Sequence, residues 1–169
     1  MAEIIWNKAP KANRIQQANT ATCWLAACQM LYQWKGLPVG DVEKKLRDSD
    51  DDRVDFDFWY NSGIDHKDAV PLAKALGFKW GAGGALSLDQ LIDAMSWGPL
   101  LAIGAWNSYS HVIVVVGVEK VPDKKYESVA KVMVLNPWFG ASVPEERNVF
   151  WFNGGLGHWK GVNGQYMHW

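Results

Sequence analysis

Cys23-Trp24-Leu25-Ala26-Ala27-Cys28-Gln29-Met30-Leu31-Tyr32 is the stretch on which the reading of this chain turns. It is rich in helix formers and apolar nearly all round, and it runs into Gly36 with Pro38 beyond. That pattern predicts a buried central helix from Thr22 to Lys35, closed by a left-handed glycine. Upstream, residues 1 to 21 are polar, with Pro10, Asn13, Gln16, Gln17 and Asn19, and carry no period. They read as an extended arm and loop.

Downstream, short helices are expected over Val39 to Arg47 and over Asp68 to Leu76, the second ending at Gly77. Between them lies an acidic loop, Asp48 to Asp55, and after them comes a flexible connector, Gly81 to Gly84. Ser87 followed by Leu88, Leu91, Ile92 and Met95 has an N-cap and helical spacing. Past Gly98-Pro99 the character changes. Leu100 to Trp106, His111 to Val118 and Val129 to Leu135 are aliphatic or β-branched runs separated by turn residues, and Arg147 to Phe152 adds a fourth. Residues 153 to 169 show no period. Helices first and then an antiparallel sheet define an α+β class, and 169 residues fit one domain, 1–169.

Composition excludes several functions. A formal charge of -1 gives no drive toward phosphate backbones or anionic lipid, so no nucleic-acid partner is expected. No run approaches a membrane span and no secretory signal opens the chain, which implies a soluble protein, cytoplasmic as synthesised and exported only by a signal-independent route. Cys23 and Cys28 point in different directions on one helix and do not suit a disulfide. His66, His158 and His168 are scattered without a CxxC or HExxH partner, so no metal is expected. The acidic run containing Asp50 and Asp52 lacks the glycine and terminal Glu of a calcium loop and reads as a solvated face. No other cofactor motif appears.

The chemistry starts from Cys23. A thiol attacks an acyl carbon as thiolate, which a helix N-terminus and a nearby imidazolium favour, and Cys23 opens its helix. His111 opens the most hydrophobic strand, Val112-Ile113-Val114-Val115-Val116, where a rigid backbone can aim its ring as base. Asn136 ends the next strand, Lys131 to Leu135, and its amide oxygen can take the ring N–H. The Cys23 N–H and the side chain of Gln17 supply oxyanion donors. Gln16 takes that place if the loop register differs by one. Cys28 reads as buried core.

These residues resemble the papain-like cysteine proteases. Gln17 lies six residues before Cys23, Trp24 follows Cys23, and Asn136-Pro137-Trp138 parallels an Asn-x-Trp element. The resemblance implies a papain-like fold, with the nucleophile helix packed on the sheet, and cleavage of a peptide or protein amide through an acyl thioester. It also implies that Trp138 shields the His–Asn pair, with Trp24 and Trp138 as candidate substrate contacts. Thr20-Ala21-Thr22 replaces the family's Cys-Gly-Ser or Cys-Gly-Ala, and the interval from Cys23 to His111 falls short of the ~130 residues of larger members. The pattern is similar to a compact bacterial branch, the secreted effector proteases and the peptidase domains of peptide exporters. A toxin of that kind implies an inhibitor or immunity protein as partner. The same machinery serves an amidase, deamidase or transamidase, for instance on cell-wall peptides. From another class, the eleven tryptophans fit a non-catalytic module gripping peptide or glycan.

Overall fold

The computed structural model describes residues 3–6, 13–82, 84–107, 109–140, 144–155, 160–161 and 165–169. Much of the N-terminal arm, Gly83 of the glycine connector and His158 lie outside the described residues. Helix α1 spans Cys23–Lys35 and ends at Gly36, whose φ of 79° is the left-handed conformation that glycine adopts without a Cβ penalty. Nine of its residues are buried, so α1 is held by packing on several sides rather than by one amphipathic stripe.

Around it stand α2 (Asp41–Arg47), α3 (Phe56–Ser62) and α4 (Ala69–Leu76), the last entered through a 3-10 turn at His66–Asp68. Helix α3 was not expected from the sequence. It grows out of the acidic run because the Asp55 carboxylate accepts from the Phe58 N–H and caps the helix, while Phe56 and Trp59 are buried. The rest of the acidic run is solvated, and Asp51 pairs with Arg53.

The strands are β1 (Glu3–Trp6), β2 (Lys79–Ala82), β3 (Leu100–Trp106), β4 (Tyr109–Lys120), β5 (Lys131–Leu135), β6 (Glu145–Asn148) and β7 (Gln165–His168). They form one antiparallel sheet in the order β2-β7-β3-β4-β5-β6, and β1 pairs with the far end of β4. Gly117 and Val118 pair with both β1 and β5, so β1 continues the edge of β4 that β3 occupies lower down.

Three sequence expectations change here. The arm contributes a strand at Glu3–Trp6, the glycine connector begins inside β2, and the aperiodic C-terminal stretch inserts β7 between β2 and β3. The fourth strand, expected over Arg147 to Phe152, lies earlier, at Glu145–Asn148, and Val149–Phe152 is helical. The strand ends at Asn148, whose side chain accepts from the Trp151 N–H and starts α6 (Val149–Phe152).

Alternation along the central strands divides the core. Leu101, Ile103, Val112 and Val114 face α1 and the helices around it, whereas Leu100, Ala102, Ile113 and Val115 face α5 (Leu88–Met95) and α6. A strand covered on both faces reads as a continuous apolar run, which is why 112–116 lacks polar alternation. Helix α5 begins at Ser87 with a reciprocal Ser87–Gln90 capping box, as its N-cap reading predicts. The sheet and α1 together place the start of the helix beside the start of β4.

Candidate active site

Cys23 is the first residue of α1, and the loop before it shapes its surroundings. The Thr22 hydroxyl makes no cap bond to the helix; its Oγ1 accepts from the Ala18 and Asn19 N–H groups at 3.0 and 3.1 Å. The first-turn amides of α1 are thereby left for the thiol. The N–H groups of Val112, Trp24 and Cys23 itself favour the thiolate, but burial outweighs them and pushes the Cys23 thiol up to about 11. Burial thus works against the helix N-terminus at this sulfur, which leaves the nearby imidazole to favour the thiolate. The contact with the Val112 N–H sets Cys23 against β4, one residue from His111.

His111 is 3% exposed. Its Nε2 lies 2.9 Å from Asn136 Oδ1, and the same oxygen accepts the Trp138 backbone N–H at 3.0 Å. A backbone N–H can only donate, so the atom it meets must be the amide oxygen, and the His111 Nε2 facing that oxygen must carry the proton. The tautomer follows: Nδ1 holds the lone pair and is the basic nitrogen. Burial pushes the His111 pKa below its ordinary 6.5, while the Asn136 bond works the other way. Trp106 and Trp138 stand edge-on to the imidazole, at 5.3 and 6.1 Å between centroids.

Each group by itself resists charge in a site this dry. The charge-separated state is reached only by passing the proton from one to the other, as a coupled pair.

Gln17 is also buried, on the loop leading to α1. Its Nε2 donates to the Asn19 carbonyl at 2.7 Å, its Oε1 finds no partner among the described residues, and its backbone N–H donates to Pro137 O at 3.0 Å. An amide nitrogen has two protons, so one remains for a further acceptor. Gln16 is exposed, which favours Gln17 for the buried donor.

Trp138 reaches the site and Trp24 does not. Trp24 is wholly buried, its Nε1 donates to Trp59 O at 3.2 Å, and its ring packs edge-on against Phe56 and Trp59. No face of it is open to a ligand, so the substrate contact expected of Trp24 gives way to a core role. Cys28 is buried and free.

A cleft of about 810 Å³ opens over Cys23. One wall is Phe58, Gly63 and Ile64 with Asp65 and Asp68, and the other is Tyr109, Val112 and Trp138. The first wall comes from α3 and the turn after it, elements the sequence did not disclose. Arg14 was missed as well: its Nε donates to Asn136 O at 2.8 Å and its Nη2 to Trp138 O. Nothing in the local sequence marks it, since its partners are carbonyls more than a hundred residues away. Among the described residues no three metal-ligating side chains come together.

A cysteine at a helix start, set against the strand that carries a tautomer-locked His–Asn pair, defines a thiol hydrolase site. The chain belongs to the papain-like cysteine protease AvrRpt2 family, whose model it matches over residues 4–153. No curated protein matches it. Membership and the Cys–His–Asn cluster agree on a cysteine-protease class of enzyme.

Proposed function

We propose that the protein cleaves a peptide or protein amide, with Cys23 as nucleophile, His111 as base, Asn136 as the group that orients it and Gln17 as oxyanion donor. As Cys23 Sγ attacks the carbonyl carbon, its proton passes to His111 Nδ1. The imidazolium is supported through Nε2–H by Asn136 and the oxyanion by the Cys23 N–H and the Gln17 amide. His111 then protonates the departing amine, leaving an acyl thioester. Water, deprotonated by the same ring, releases the acid and restores the thiol.

The observation that carries this reading is the shared Asn136 oxygen, which fixes His111 with its Nε2 protonated and its Nδ1 basic. The open cleft over Cys23, walled by Phe58, Tyr109 and Trp138 with Asp65, Lys67 and Asp68, supports an extended chain as substrate. The family supports a bacterial effector setting; a toxin of this kind would need an inhibitor or immunity protein to guard the producing cell. Among the described residues no helix is long and apolar enough to cross a membrane.

The test is a proteome-derived peptide mixture incubated with wild type, Cys23→Ala and His111→Ala and read by mass spectrometry. New peptide termini from wild type alone are expected. Glutamine-to-glutamate conversion without new termini would replace the peptidase reading by a deamidase on the same residues. Activity in Cys23→Ala would remove Cys23 from the chemistry.

A further inference from the structure

The turn Asn136-Pro137-Trp138 holds the oxygen that orients His111, yet it lies beyond the end of β5 and has no ladder bonds of its own. Proline contributes no N–H. What fixes the turn comes from the loop ahead of α1: Arg14 donates to Asn136 O and Trp138 O, and the Gln17 N–H donates to Pro137 O. Three successive carbonyls are thus tied to one short segment, the segment that also carries the oxyanion candidate. Arg14 is half-buried, and among the described residues no carboxylate pairs with it. Its guanidinium is spent on those carbonyls. A flat fork presenting Nε and Nη2 along one edge can meet two acceptors at fixed separation, which an ammonium cannot do from one position.

We propose that Arg14 is a positioning residue of the active site, bracing the Asn136–Trp138 turn so that the Asn136 oxygen holds the His111 ring. This rests on the reading of Asn136 as the orienting group. Arg14 touches neither substrate nor the reacting atoms, and its effect passes through Asn136. It also joins the two sides of the site: displacing the Asn136 turn pulls on Gln17 through Pro137 O. A free Asn136 side chain loses the shared geometry at Oδ1, and the His111 ring loses its fixed donor direction.

The experiment is a double-mutant cycle on Arg14 and Asn136, read in two ways: kcat and KM for peptide cleavage, and the rate at which Cys23 is alkylated by chloroacetamide at neutral pH. Alkylation needs no known substrate, and buried Cys28 serves as internal control. Arg14→Ala is expected to lower kcat and alkylation about tenfold, with KM within about twofold. In an Asn136→Ala background the same change costs less than about twofold, because the group it acts through is gone. Arg14→Lys, which keeps the charge and one donor, loses about threefold and guards against a folding defect in the alanine variant. Equal losses from Arg14→Ala in both backgrounds would overturn the proposal and leave Arg14 a stabilising residue only. Asn136→Ala with wild-type kcat and alkylation would overturn it too, by removing the group through which it acts. Alkylation of Cys23 that His111→Ala leaves unchanged would instead overturn the Cys–His reading of the site, and Arg14's role with it.

Discussion

Replacing Asn136 with Asp puts a carboxylate where the amide oxygen meets His111 Nε2 at 2.9 Å. With charge centres about 4 Å apart and an effective dielectric near 20, the attraction to an imidazolium is about 4 kcal/mol, or about 3 pKa units. Asn136 is 5% exposed, so the new carboxylate is itself desolvated and part of that gain is lost. The Trp138 N–H continues to donate to it, and Arg14 stands next to it. A net rise of about 1–2 units in the His111 pKa is expected. The sign of the kinetic effect follows from the resting state. Burial pushes the thiol up and the imidazole down, which favours a neutral Cys23–His111 pair, and from such a pair activity is lost on the acid side as His111 takes a proton. In wild type that acid limb of kcat/KM lies below the ordinary imidazole value. In Asn136→Asp it moves upward by the same ~1–2 units, with activity retained above it. Asn136→Ala removes a bond that raises the His111 pKa, so its acid limb moves down while the plateau falls through a misaimed ring. The assay is kcat/KM against pH for the three proteins on a common peptide. An acid limb that stays in place in Asn136→Asp, with the alkaline limb moving instead, would refute the neutral resting pair and install a thiolate–imidazolium pair.

Gln17→Ala should lower kcat roughly a hundredfold with KM little changed, as for loss of one oxyanion donor, and an unchanged rate in steady-state kinetics would point to another donor. Trp24→Ala should destabilise the fold by about 3–5 kcal/mol in urea unfolding, since it empties a site enclosed by Phe56 and Trp59; a loss under about 1 kcal/mol would contradict its core placement. Cys28 should resist alkylation in the native protein and react on unfolding, so labelling at both cysteines in native buffer, counted by intact mass, would show that α1 opens.

The sequence by itself determined the features whose causes are local. The apolar run 23–35 with Gly36, the Ser87 cap and the aliphatic run 112–116 are each legible because periodicity, capping and burial on both faces act within a few residues. The places of Cys23, His111 and Asn136 in the fold were legible for the same reason: a helix start, a residue near the start of β4 and the residue after β5, each marked by its own neighbours. Where the cause lies far along the chain, only the tertiary structure decided. Whether Trp24 faces substrate or core depends on Phe56 and Trp59, delivered by a helix hidden in an acidic run. Strands β1 and β7 carry too few residues to show a period and exist because β4, β2 and β3 offer them open edges. The surroundings of Cys23 show the limit most sharply. A helix N-terminus favours thiolate, but Cys23 is buried, and that desolvation, which no window of sequence records, pushes the thiol the other way. Arg14 is the same lesson in geometry, since its partners Asn136 and Trp138 become neighbours only when the sheet has folded against α1.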